Sequence, residues 1–231
     1  MRTSDTHLRV ARTIAGLAVT LSLVLPVAPW VPGAAAQGAQ KPDGVVVAIR
    51  DGKLERFQQD LWNALTVGQP VSRGNRVRTD GTAVAIVTLA EIGRIVMGPS
   101  SDVELGKNPK DFKVTMQRGF AWLDATLPKG SKASISTSLA TAGVRGTGFS
   151  VCYDGKNYCA CTCFGEVEVS VPGGPTVRVP RGEYYAFPAG APLPGKTEAA
   201  ATLLEKTGAG FDFCFTCHVV AGKGRLKPDR K

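Results

Sequence analysis

Phe149-Ser150-Val151-Cys152-Tyr153-Asp154-Gly155-Lys156-Asn157-Tyr158-Cys159-Ala160-Cys161-Thr162-Cys163-Phe164 is the stretch on which the fold turns. Large apolar residues recur at every second position on both sides of Asp154–Asn157. That period belongs to a strand, because successive side chains of an extended backbone point to opposite faces. Asp-Gly-Lys-Asn supplies the turn chemistry. A two-residue loop at Gly155-Lys156 predicts a hairpin with Tyr153 opposite Tyr158 and Cys152 opposite Cys159. Phe149, Val151, Tyr153, Tyr158, Ala160, Thr162 and Phe164 then share the core face. Cys152, Cys159, Cys161 and Cys163 share the other.

The flanking sequence repeats the pattern. Phe112, Val114 and Met116 alternate with Lys113, Thr115 and Gln117, and Val167, Val169 and Val171 alternate with Glu166, Glu168 and Ser170 up to the turn Pro172–Pro175. Ala133, Ile135, Thr137 and Leu139 alternate in the same way. Thr82–Leu89 is apolar on both faces, as in a strand buried on both sides. Arg94–Met97 and Asp102–Leu105 are two further strands, joined by the turn Gly98–Ser101. Val45–Ile49 is a β-branched run closed by Asp51-Gly52, a hairpin signal, and Asp60–Leu65 reads as a brief helical turn. Together these predict about a dozen strands in one all-β domain over 44–188, a sandwich or flattened β-roll. Residues 189–231 follow as a Pro/Gly/Ala linker, a short helix over Thr197–Lys206 capped by Thr197 and stopped by Gly208, and a cysteine-containing tail.

The composition suits a packed domain. Of 231 residues, 43% are hydrophobic and 20% charged, which excludes a chain disordered throughout. Residues 1–36 carry the marks of a signal peptide. Arg2, Arg9 and Arg12 precede an apolar stretch from Thr13 to Val31, and Ala34-Ala35-Ala36 offers a small-residue cleavage site before Gln37. Pro26, Pro29 and Pro32 argue against a straight spanning helix. No other run is long enough to cross a membrane. Cleavage after Ala36 takes three basic residues and one acid from a formal +9, leaving +7. The expected place is the periplasm or extracellular space, where that charge points to no nucleic acid; the basic end Lys223–Lys231 reads as a solvated tail.

Four blocks together resemble a FecR domain. They are Val67–Thr79, Met97–Leu105, Thr141-Ala142-Gly143-Val144-Arg145-Gly146-Thr147-Gly148-Phe149-Ser150-Val151, and Gly165-Glu166-Val167-Glu168-Val169, in matching order over about 44–188. The resemblance implies an all-β periplasmic module that senses a partner in the envelope and, in its best-known relatives, passes that state to a sigma factor. Only twelve residues precede the apolar stretch here, so the expectation is a free-standing envelope binding module, its partner an envelope protein or a small ligand. Hydrolytic machinery is not visible: the chain beyond residue 36 has a single histidine, and Glu166 and Glu168 sit on a regular strand face as solvent-facing residues. Arg145 reads as a local backbone or carboxylate contact.

The cysteines carry the unusual chemistry. An even number of them, six, in an exported chain suggests disulfides. Cys159, Cys161 and Cys163 lie about 6.6 Å apart along a strand, at the edge of what a disulfide spans. Cys152 and Cys159 could close across the hairpin, which leaves Cys161 and Cys163 to find partners in the tail. There Cys214-Phe215-Thr216-Cys217-His218 matches the attachment pattern of c-type haem, with His218 as axial ligand. The thirteen residues after His218 are too few for the rest of a cytochrome c domain, and a sixth ligand would be Met97, Met116, a lysine or water. Three alternatives stay open: covalent haem c at Cys214, Cys217 and His218; disulfides; or a thiolate site for zinc or iron. Such a site would draw on Cys152, Cys159, Cys161 and Cys163, for instance Cys161 and Cys163 with Cys214 and Cys217.

Overall fold

Alternation at period two is carried through as strand after strand in the computed structural model, which describes residues 43–144 and 148–199. Among these residues there are 17 strands and no helix. Sheet A runs β4 (Pro70–Val71), β1 (Gly44–Arg50), β6 (Val84–Leu89), β7 (Gly93–Met97), β9 (Asp111–Ala125), β12 (Gly148–Tyr153), β13 (Asn157–Thr162), β16 (Glu183–Pro188), β17 (Glu198–Ala199). Sheet B runs β3 (Leu61–Leu65), β2 (Leu54–Gln58), β5 (Arg76–Thr79), β8 (Asp102–Glu104), β9, β10 (Lys132–Ser136), β11 (Thr141–Val144), β14 (Glu166–Ser170), β15 (Thr176–Pro180). Every pairing is antiparallel except that of β9 with β10.

One face of each sheet meets the other in a single core. Val87, Ile95, Leu123, Phe149, Val151 and Tyr158 come from sheet A, and Leu54, Val77, Phe112, Val114, Ile135 and Val167 from sheet B. This is the expected two-layer β domain. Burial of these side chains is the main stabilising term, at roughly 25 cal/mol for each Å² of apolar surface removed from water.

The 15-residue strand β9 belongs to both sheets. Its first part pairs with β8 and β10 in sheet B, its last part with β7 and β12 in sheet A. The crossing needs a kink, and Gly119 supplies it at φ +104°, where a Cβ would stand 2.3 Å from the Ser101 Cα. The register of β8 against β9 shifts there, between Asp102 and Val103. Ser101 pins the kink: the Phe120 N–H donates to its Oγ at 2.9 Å, and that hydroxyl lies 2.8 Å from both the Gly98 and Phe120 carbonyls. Thr79 Oγ1 accepts from the Ser101 N–H at 2.9 Å, tying the crossing to β5.

Three local expectations are corrected. Asp51-Gly52 closes no hairpin, because β1 lies in sheet A and β2 in sheet B. The turn instead wraps the Asp80 carboxylate, which accepts from the backbone N–H groups of Lys53, Thr82 and Ala83. The stretch Asp60–Leu65 is strand β3 rather than a helical turn: Gln59 and Asp60 both take positive φ, the signature of a primed hairpin loop joining β2 to β3. At Glu198–Ala199 the chain is a strand on β16 where a helix from Thr197 was expected; the rest of that candidate helix lies outside the described residues.

Replacing Gly119 by alanine is expected to lower stability by more than about 2 kcal/mol, since the crossing cannot relax without moving Ser101. Urea unfolding followed by circular dichroism measures it, and an unchanged midpoint would contradict this role.

Candidate functional site: the cysteine-bearing face of sheet A

The hairpin forms in the expected register, with Cys152 opposite Cys159 and Tyr153 opposite Tyr158. Its tip is held by Asp154, whose Oδ1 accepts from the N–H groups of Lys156 (2.8 Å) and Asn157 (2.6 Å), while the Asn157 side-chain amide donates to Oδ2 at 2.7 Å. These bonds, that of the Asn157 side chain foremost, hold the Asp154 carboxyl down at about 2. The Tyr153 hydroxyl reaches both Ser138 Oγ (2.6 Å) and the Gly155 carbonyl (3.2 Å), fastening the tip to the loop after β10.

Phe149, Val151, Tyr153, Tyr158 and Ala160 point into the core, and Thr162 is fully buried, its hydroxyl donating to the Val179 carbonyl at 2.8 Å. Phe164 departs from the expectation and packs with Cys163 on the opposite face. The reason is local. The N–H groups of Cys163 and Phe164 both donate to the Gly148 carbonyl, at 2.8 and 3.0 Å, the two-against-one pattern of a bulge that ends the alternation.

The cysteines therefore line the face of sheet A turned away from the core, and they do so unequally. Cys152 is exposed, Cys159 half-buried, Cys161 is 6% exposed and Cys163 only 1%. Around them that face is apolar. Val96, Phe120, Trp122 and Cys163 form one buried cluster with Val84, Ile86 and Phe164 against it, and Cys161 with Tyr184 forms another beside Cys159 and Ala186. The register lays half-buried Ile86 and buried Val96, Trp122, Ser150, Cys161 and Tyr184 in one row across six strands. Arg94 flanks the row, its guanidinium 5.4 Å from the Trp122 ring and 3.5 Å from Asp124. At the far end the Tyr184 hydroxyl donates to Glu198 Oε2 at 2.8 Å; burial, helped by that acceptor, pushes it up to about 12.

Toward the hairpin tip the face opens into a cleft of about 770 Å³, lined by Arg118, Cys152, Asp154, Cys159 and Phe187 among others. Its lining is mainly apolar, with Arg118, Cys152, Asp154 and Cys159 among the polar residues that border it.

The outer face of sheet B is different. Arg76 is bidentate to Asp102, Arg78 meets Glu55 at 2.7 Å and stacks 4.0 Å from the Trp62 ring, and Arg178 lies 3.7 and 3.8 Å from Glu166 and Glu168. Glu166 and Glu168 are exposed, as expected of a solvated strand face.

The tail residues Cys214, Cys217 and His218, and also Arg145, lie outside the described residues. Among the described residues no three of His, Cys, Asp and Glu are grouped to hold a metal ion. Met97 and Met116, named above as candidate sixth ligands, are both buried between the two sheets. The apolar row itself was not anticipated. Its signal is Phe120-Ala121-Trp122-Leu123, apolar at every position, which means burial on both faces.

The family model described as FecR protein matches residues 75–168, which span β5 to β14 and include β9 and the cysteine hairpin. Two crystal structures of a candidate anti-sigma factor from Parabacteroides distasonis ATCC 8503 are similar to the chain. The 1.65 Å structure has 18% identity and a TM-score of 0.50, covering 57% of this chain and 63% of that one. The 2.50 Å structure has 18% identity and a TM-score of 0.49, covering 58% and 64%. The chain thus spans less than two thirds of that protein's length, and at this identity the likeness is one of fold. No curated protein matches the sequence significantly.

Two outcomes follow from the geometry. In the reduced protein, alkylation by iodoacetamide is expected in the order Cys152, Cys159, Cys161, Cys163, with Cys163 slower than Cys152 by a factor of about 100 or more; equal rates by peptide mass spectrometry would contradict the burial gradient. The Asp154 carboxyl, depressed in the fold, contributes stability above its unfolded value of about 3.9 that is lost as pH falls through 2. Side-chain carbon NMR should therefore find it ionised at pH 3, and a midpoint near 4 would show the turn is not formed.

Proposed function

We propose that this chain is an exported, non-enzymatic binding and sensing module of FecR type, acting in the bacterial envelope on a protein partner or a small ligand. The observation that carries the reading is the FecR match over residues 75–168, because those residues build β9 and the face on which the cysteines stand. The similarity in fold to a candidate anti-sigma factor supports a regulatory role. The leader Arg2–Ala36 supports export. The open end of the cysteine face, around Cys152 and Cys159, is the surface through which a ligand or partner would be felt.

A second reading has its own observation, the Cys214-x-x-Cys217-His218 sequence. In it the tail carries haem c, or shares a zinc or iron site with the strand cysteines, and the β domain is the scaffold of a redox protein. A structural chain held by disulfides is the third.

An in-frame deletion restored with the full-length gene tests the first reading. Expected is a change in a restricted set of transcripts, reversed by restoration, with the intact mass of the envelope-localised protein beginning at Gln37. A chain retained whole in the cytoplasm overturns export, and unchanged transcripts overturn regulation. A mass increment of one haem establishes the redox reading in its place.

A further inference from the structure

Cys152 and Cys159 face each other across the hairpin at the open end of the cysteine face. In an antiparallel ladder, facing residues alternate between pairs that exchange backbone hydrogen bonds and pairs that do not. Two bonds fix which is which here. The Asp154 N–H donates to the Asn157 carbonyl at 3.3 Å, and the Cys163 N–H to the Gly148 carbonyl at 2.8 Å. Moving by two residues along the ladder from either bond makes Cys152–Cys159 a hydrogen-bonded pair.

Such a pair holds its Cβ atoms at the wide end of the range, about 5.5 Å apart. A disulfide needs about 3.8 Å. The strands are not at liberty to close that difference. On its other side β12 is paired with β9, where Cys152 stands opposite Phe120, and β13 with β16, where Cys159 stands opposite Ala186. One ion shared between the two sulfurs needs the wider spacing. Metal–thiolate bonds of about 2.3 Å set the sulfurs of a linear unit about 4.6 Å apart. Side chains rising from Cβ atoms about 5.5 Å apart reach that separation by leaning slightly toward each other.

We propose that Cys152 and Cys159 bind one soft d10 cation of the copper(I) class between their two thiolates. The number of ligands selects the ion. Zinc fills four positions, and among the described residues no three of His, Cys, Asp and Glu come together. Asp154, two residues from Cys152 on the same face, is engaged by the turn through Lys156 and Asn157. Two thiolates suit a soft ion that is content with two ligands, as copper(I) is. Access is provided as well, because Cys152 is exposed and both cysteines border the cleft of about 770 Å³. Binding exchanges two thiol protons for the ion, so it strengthens as pH rises.

The inference rests on the reading of this end of the face as the module's binding surface, and it names the class of ligand. Binding is measured on purified protein, so it can fail while the transcript response stands, or stand where that response is absent. The full chain with Cys214→Ser and Cys217→Ser, reduced and kept from oxygen, is titrated with copper(I) against the chelator bathocuproine disulfonate. Expected is one tightly bound equivalent, weakened about 100-fold or more by Cys152→Ser and to a similar degree by Cys159→Ser. X-ray absorption of the loaded protein, which needs no substitution at the pair, should show a shell of two sulfurs. Affinity unmoved by either substitution overturns the proposal, as does a shell of three or more ligands or an equal loss on Cys161→Ser. So does a Cys152–Cys159 disulfide found by peptide mass spectrometry in protein isolated without reductant.

Discussion

One strand, β9, has to serve two sheets, and the domain is organised around that constraint. A strand can leave one ladder and enter another only where its backbone turns sharply, and Gly119 is where this chain does so. The kink would expose polar groups in the middle of the protein, so Ser101 and Thr79 take them up in a buried hydrogen-bonded cluster. Each half of β9 then pairs into its own sheet, with β7 and β12 on one side and β8 and β10 on the other. Because both sheets share this strand, their inner faces cannot separate, and one continuous core results.

The two outer faces differ in the residues they carry. In sheet B the outward positions of β5 and β14 hold Arg76, Arg78, Glu166 and Glu168, paired at the surface. In sheet A the outward positions of β7, β9 and β13 include Val96, Phe120, Trp122 and Cys161, with Cys163 just past β13, and the charged pair Arg94–Asp124 stands at their side. Strands apolar on both faces are costly to leave in water, at about 1.5–3 kcal/mol for each large side chain. The domain thus has a second buried apolar surface besides its core, and the cysteines stand on it.

Much of this was legible in the residues. The pairing of Cys152 with Cys159 follows from period two and a two-residue loop at Gly155-Lys156. What failed were readings in which a local signal has two structural uses. Asp-Gly marks a tight turn, yet which strand the chain joins afterwards depends on distant partners, and at Asp51-Gly52 the partner is the Asp80 carboxylate. Asp60–Leu65 has no clear period, and only a loop with positive φ at Gln59 and Asp60 makes it the return strand of a hairpin. Phe164 left the core face because a bulge, invisible to a strict alternation, intervenes at Gly148. The apolar row escaped notice since its members are scattered over six strands and meet only through register.

Register is accordingly the quantity on which the account rests, because with β12 held against β9 a slip of one residue between β12 and β13 would turn Cys159 and Cys161 into the core and leave Cys152 outside. Cross-strand backbone NOEs in the isotopically labelled protein read it directly. The account predicts contacts joining Val151 to Ala160 and Tyr153 to Tyr158, with Cys152 opposite Cys159. Contacts that instead set Cys152 opposite Tyr158 or Ala160 would contradict it.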